Sequence, residues 1–261
     1  YGGDAVVQVD KHSKEIVEGL NNSKKLPVKV LYKGTVNSSK EVLDVFKKAN
    51  NDDKCAGVIT WMHTFSPAKM WIHGLQQYNK PLLHLHTQYN AQIPWDKIDM
   101  DFMNLNQSAH GDREFGHICA RLRIPRKIVV GHWQDPEVLN RINIWMRVSI
   151  AVADAQDCVI IRIGDNMNNV AVTDGDKVEA EKVLGYHVDY YGIGDLVKVM
   201  DTISEKEIND LVTEYERLYE VSAECKEGGK NRKQVVEAAR EELAIRKFLE
   251  RKECKMFCIK F

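Results

Sequence analysis

Apolar positions along this chain alternate between a strand rhythm and a helix rhythm. Residues 28–32 form a short β-branched run. Residues 38–49 follow with a capping box, Ser38 and Glu41, ahead of an apolar face of Val42, Val45, Phe46 and Ala49. Residues 55–62 (CAGVITWM) are continuously apolar, as in a strand covered on both faces of a parallel sheet. The pattern then predicts a helix over 67–78, a strand over 81–85, a helix capped by Asp112 and running to about Leu122, and a strand over 127–130. Pro136 opens a long helix with Leu139, Ile142, Met146, Ile150 and Ala153 along one stripe. A second series begins after it. Residues 159–163 read as a strand, Gly164-Asp165-Asn166 as the turn that follows, and 174–184 as a helix closed by Gly185. Ser204 and Glu207 make another capping box before Ile208, Leu211, Tyr215 and Leu218. Residues 230–249 are the last helix, and 255–261 start a strand.

Strand–helix alternation through the whole length implies α/β units with parallel sheets. The reading is two open parallel-sheet domains of Rossmann or flavodoxin-like type, 1–157 and 158–261, the second incomplete. The break falls at Gln156-Asp157, where one long helix gives way to a new strand, turn and helix.

Composition narrows the class. A chain of 261 residues can hold two cores, and 44% apolar with 29% charged residues is ordinary for a soluble globular protein. A net charge of −1 and a pI near 6.8 argue against a nucleic-acid or anionic-membrane surface. No apolar run approaches the ~20 residues of a membrane span and no signal-peptide pattern opens the chain, so a cytoplasmic protein is expected. That also weighs against a periplasmic-type sugar receptor. The six cysteines form no Cys-x-x-Cys pair and are expected to be reduced thiols. Cys254 and Cys258 are four apart, but no nearby His or Cys completes a metal site.

Candidate chemistry concentrates in three irregular stretches: 61–71 (WMHTFSPAKMW), 84–90 (HLHTQYN) and 99–116 (DMDFMNLNQSAHGDREFG). Binding groups favour loops carried on a rigid scaffold. His84 and His86, two apart on one strand, project to the same side. With His63, His110 and His132 they could converge at the carboxyl ends of the strands, the usual ligand crevice of an open α/β sheet. Their spacing resembles no paired ligand set, so hydrogen bonding to hydroxyls or backbone is favoured over a metal held wholly in this chain. The stretch 96–113 reads as a long loop, either a ligand loop or a buried connection whose Asn and Asp side chains satisfy backbone. No G-x-G-x-x-G, phosphate loop or G-x-S-x-G occurs, so nucleotide binding gains little support and a serine or cysteine hydrolase less.

WMHTFSPAKMW, KPLLHLHTQYN, PWDKIDMDFMNLNQSAHGDREFG, VVGHWQDPEV and GDNMNNVAVTDGDKVEA together resemble the L-arabinose isomerase family, collinearly from Tyr1 to Phe261. The resemblance implies the fucose-isomerase-like arrangement, with N-terminal and central α/β domains here and a further β-rich domain beyond. It implies conversion of L-arabinose to L-ribulose, often of D-galactose to D-tagatose, by metal-assisted hydrogen transfer between C1 and C2, in a cytoplasmic homohexamer. The manganese ligands and the catalytic acid–base are expected downstream, so no catalytic or metal residue is expected within this chain. Family sugar-pocket positions fall on Tyr1, Phe65, Gln107, His110, Met167 and Phe261, with Gln107 and His110 reaching into the neighbouring subunit's pocket. Asn168-Asn169 departs from a basic-acidic pair usual in the family, and 255–261 is atypical. The alternative is a catalytically silent sugar-binding or oligomerisation module.

Overall fold

Three parallel strands and the helices on both their faces make up the first of two units. The computed structural model describes residues 3–64, 67–156 and 158–259. The units comprise Tyr1–Ala153 and Asp154–Phe261. Unit one runs through helix α1 (Gly3–Asn22), helix α2 (Ser39–Asn50), strand β1 (Val58–Trp61) and a 3-10 turn (Ala68–Trp71). It continues with α3 (Ile72–Gln77), β2 (Leu82–His86), α4 (Met100–Leu105), α5 (Ser108–Arg121), β3 (Lys127–Val130) and α6 (Pro136–Ala155), which crosses into unit two.

The strands stand in the order β1-β2-β3, with Thr60 beside His84 and His84 beside Ile128. Because side chains alternate along a strand, β2 serves two cores. Leu83 and Leu85 pack with Ile16 and Leu20 of α1 and with Val138, Leu139, Ile142 and Met146 of α6. Leu82 faces the other way, toward Val42 and Phe46 of α2, Leu75 of α3 and Phe115 and Cys119 of α5. Leu82, Leu83 and Leu85 are buried as the apolar residues of a strand covered on both faces should be, and His84 between them is buried as well.

Three local expectations fail here. Residues 28–32 are not a strand. The Asn21 amide side chain donates to the Val30 carbonyl at 3.0 Å and accepts from its N–H at 2.9 Å, taking the bonds a neighbouring strand would make. The stretch 96–113 is not one loop either: Asp99 caps α4 by accepting from Phe102 N–H at 2.8 Å, and α5 begins at Ser108. Asp112 therefore lies inside α5 and does not cap it. Helix α1, for which the sequence pattern made no prediction, buries His12, Ile16 and Leu20 at four-residue spacing.

Unit two contains β4 (Val159–Ile163), α7 (Lys177–Leu184), β5 (His187–Tyr191), α8 (Ile193–Met200), α9 (Glu205–Leu218), α10 (Arg232–Arg251) and β6 (Met256–Ile259), with strand order β5-β4-β6, all parallel. Ile161 and Ile163 of β4 pack under Leu196 and Val199 of α8, Ile208 and Leu211 of α9 and Phe248 of α10. Ser204 and Glu207 form the expected reciprocal cap of α9, and Gly185 ends α7 with φ +85°. Cys258 is in strand β6 and Cys254 precedes it, so their spacing is not that of a helix face. The fold is α/β, with two small parallel sheets. No helix among the described residues is long and apolar enough to cross a membrane.

Candidate functional site

The carboxyl ends of β1, β2 and β3 deliver polar groups to one edge of the first sheet, but the five histidines do not converge there. They divide into separate networks.

In the first network, Gln8 Nε2 lies 3.0 Å from His12 Nε2, and His12 Nδ1 lies 2.8 Å from His63 Nε2. An amide nitrogen can only donate, so His12 accepts at Nε2 and donates from Nδ1 to His63 Nε2. His63 then carries its proton on Nδ1, a buried nitrogen that has no hydrogen-bond partner among the described residues. The His12 ring stacks on Tyr89 at 3.5 Å, and the Tyr89 hydroxyl donates to Glu15. His132 Nε2 approaches the Tyr89 carbonyl at 3.2 Å. Burial, with neighbouring His12 adding to it, lowers the His63 pKa to about 4.

The second network is deeper. Asp112 Oδ1 is 2.6 Å from His84 Nε2, and His84 Nδ1 is 3.0 Å from His86 Nε2. His84 is 0% and Asp112 3% exposed, whereas His86 is half-buried. Phe115 packs edge-on against His84 at 4.6 Å. Burial, and secondarily the Arg126 guanidinium, lowers the His84 pKa to about 3. Burial raises Asp112 to about 7, opposed by His86. Both shifts disfavour the charged forms, so the contact is not held by two full charges.

His84, His86 and Asp112 also bring three ligand-type atoms within 4.8 Å of one another. They do not fit manganese. Both ring nitrogens of His84 already have hydrogen-bond partners. The 2.6 Å between His84 Nε2 and Asp112 Oδ1 is shorter than the ~3 Å between adjacent ligands that each sit ~2.1 Å from one ion. One carboxylate is too little oxygen for a hard ion, and Arg126 sets a positive charge nearby.

Of the expected sugar-contact residues, Gln107 and His110 come together at the start of α5. His110 is exposed and lines an open cleft of about 610 Å³ with Lys69, Arg113, Glu114 and His117. Glu114 closes one side by accepting from Ala68 N–H at 3.2 Å. Met167 belongs to unit two, 43% exposed in the turn after β4, where its N–H donates to Thr173 Oγ1 at 3.2 Å. In the same turn Asn169 has φ +63°, a left-handed conformation that asparagine tolerates, which gives the departure at Asn168-Asn169 a backbone reason. Tyr1, Phe65 and Phe261 lie outside the described residues.

Sequence reasoning missed His12 and Tyr89 and gave Asp112 the wrong part. The four-residue spacing of His12, Ile16 and Leu20 was the available signal for α1. Nothing in the text pairs Asp112 with His84, 28 positions away.

Comparison with known proteins agrees with this architecture. Residues 1–157 match the L-arabinose isomerase N-terminal domain and residues 159–261 the L-arabinose isomerase central domain. An L-arabinose isomerase of Bacteroides thetaiotaomicron is 63% identical over 262 residues, covering 100% of this chain and 52% of the relative. That of Geobacillus stearothermophilus is 52% identical over 250 residues, covering 96% of this chain and 50% of the relative. The chain thus spans about half the length of the curated relatives it matches. On these matches, and on an α/β fold that meets the expectation, the chain belongs to the L-arabinose isomerase family.

Proposed function

We propose that this chain is the amino-terminal portion of an aldose–ketose isomerase that converts L-arabinose to L-ribulose, with D-galactose to D-tagatose as a second reaction. Its domains divide at 157/158. His110 supports this reading most directly, because the first turn of α5 presents it beside an open cleft rather than in the interior, with the half-buried Gln107 just ahead of it. A neutral imidazole can donate one hydrogen bond to a sugar hydroxyl and accept another, and a glutamine amide can do the same, which suits a polyol. Exposure of His110 also suits a group lent to a neighbouring subunit, as in a cytoplasmic homohexamer with shared pockets. The hydrogen shift needs a carboxylate to carry the proton and a divalent ion, manganese in this proposal, to stabilise the developing oxyanion. In this proposal, as the family resemblance implies, the ligands of that ion and the acid–base carboxylates lie outside residues 1–261, and the poor fit of the His84 cluster to the ion supports it.

The test is complementation. In an enzyme carrying the whole sequence, His110→Ala lowers turnover while metal affinity stays intact. Mixing it with a metal-ligand variant restores activity, since hybrid oligomers contain pockets that pair an intact loop with an intact metal site. Hybrids that form and stay inactive refute the shared pocket. The relatives' longer chains favour an enzyme; a gene that stops after Phe261 favours the silent module instead.

A further inference from the structure

The start of α5 has no side-chain cap, since Gln107 makes no capping bond, although it carries both residues assigned to the sugar. His110 N–H and Gly111 N–H both donate to the Gln107 carbonyl, at 3.1 and 3.5 Å, which closes the first turn on itself without tying it to the sheet. Something else has to fix it. On one side Gln88 Nε2 donates to the Asn106 carbonyl at 2.9 Å, and Asn90 donates to the Asn106 side chain at 3.1 Å. On the other side is the Asp112–His84–His86 chain. The segment between, Gln107 to Gly111, is therefore held at both ends by β2 and the loop that follows it.

We propose that Asp112, His84 and His86 are positioning residues, a buried latch that sets Gln107 and His110 for sugar binding. This rests on the function proposed above.

Proton counting explains why these three residue types suit a latch. If the Asp112 carboxyl is ionised, His84 donates to it from Nε2 and accepts at Nδ1 from His86 Nε2–H. If the carboxyl is protonated, it donates to His84 Nε2, and His84 Nδ1–H donates to His86 Nε2. Both bonds survive either way, so the tie holds while the proton count changes. An amide at 112 can make either arrangement, accepting at Oδ1 from His84 Nε2–H or donating from Nδ2 to His84 Nε2. An aliphatic side chain can make neither, and it strands a buried imidazole nitrogen.

The test compares Asp112→Asn with Asp112→Leu. By amide hydrogen exchange on the present chain, Asp112→Leu should speed exchange at Ser108–Gly111 by about tenfold or more, with unit two unchanged and Asp112→Asn near wild type. In the enzyme carrying the whole sequence, Asp112→Leu should raise the sugar KM by about tenfold, the loss of one buried hydrogen bond, with kcat nearly constant, and Asp112→Asn should restore it. Wild-type exchange rates in Asp112→Leu overturn the latch. Faster exchange with an unchanged KM overturns its link to the sugar. Global unfolding of Asp112→Leu moves the exchange comparison to Asp112→Asn and His84→Gln, where near-wild-type exchange in the first and fast exchange at Ser108–Gly111 in the second is the expected result, and equal behaviour refutes the latch. Failure of the proposed function looks different: the wild-type enzyme itself would not turn over arabinose.

Discussion

His63→Gln should remove much of the acid sensitivity of unit one. A histidine whose folded pKa is depressed contributes stability that is present above its unfolded value of 6.5 and is lost as pH falls toward its folded value, about 4 for His63 and about 3 for His84. Asp112 has the opposite sign. Raised to about 7, it stabilises below its unfolded value of 3.8, and that contribution is lost as pH rises through 7. Between about 6.5 and 4 the folded state already holds the Asp112 proton and the unfolded state does not, so acid favours folding at this group. His84 and Asp112 therefore offset one another at about 1.4 kcal/mol per pH unit each, and His63 is left as the uncompensated proton. From pH 6.5 to about 4 it costs about 3 kcal/mol, a large part of a typical total of 5–15 kcal/mol. His12 and His86, also lowered mainly by burial, add in the same direction. All five tryptophans lie before residue 146, so urea unfolding followed by tryptophan fluorescence reads unit one alone. Midpoints at pH 7, 6, 5 and 4 should fall less steeply in His63→Gln than in wild type, by about 1.4 kcal/mol per pH unit. Equal slopes would refute the assignment of the acid response to His63.

Leu83→Ala, at a position with no exposed surface between α1 and α6, should lower unit-one stability by about 2–5 kcal/mol in the same urea assay. Gly74→Ala would place a methyl 2.6 Å from Val42 Cγ1 and 2.7 Å from Phe46 Cδ2, and should cost about 1–3 kcal/mol by overpacking; a midpoint within error of wild type counts against that packing. Trp95 is 76% and Met100 65% exposed, with Ile93 at 50%, so the chain should self-associate; sedimentation showing a clean monomer at high concentration, for wild type as for Trp95→Glu, argues otherwise. The 261-residue chain alone should not convert arabinose in the presence of manganese, as measured by ketose formation against a metal-free control.

Much of the fold could be read from local pattern. Strands β2 and β3, the long α6 and the Ser204–Glu207 box follow from apolar runs and capping chemistry that act over a few residues. The period-two argument for His84 and His86 also holds, since their rings bond to each other. What could not be read depends on partners distant in sequence. Residues 28–32 have strand composition, but Asn21 captures Val30. Asp112 has the chemistry of a cap, but His84 captures its carboxyl and α5 starts four residues earlier. The five histidines share a sheet edge only loosely, because α1, on which the strand pattern is silent, brings His12 to His63 and separates that pair from His84.

Strand β2 also guards its own register. Slipped by one residue against β1 and β3, it would exchange Leu83 and Leu85 for His84 and His86 on each face. The imidazoles would enter the aliphatic layer between α1 and α6, away from Asp112, and the leucines would face the carboxyl of α5. A misaligned strand thus loses hydrophobic burial on one side and strands buried polar atoms on the other, two penalties from one shift. An all-leucine β2 would bury as much apolar surface and pair nearly as well when misaligned, so the histidines act as a proofreading mark written into the centre of the sheet.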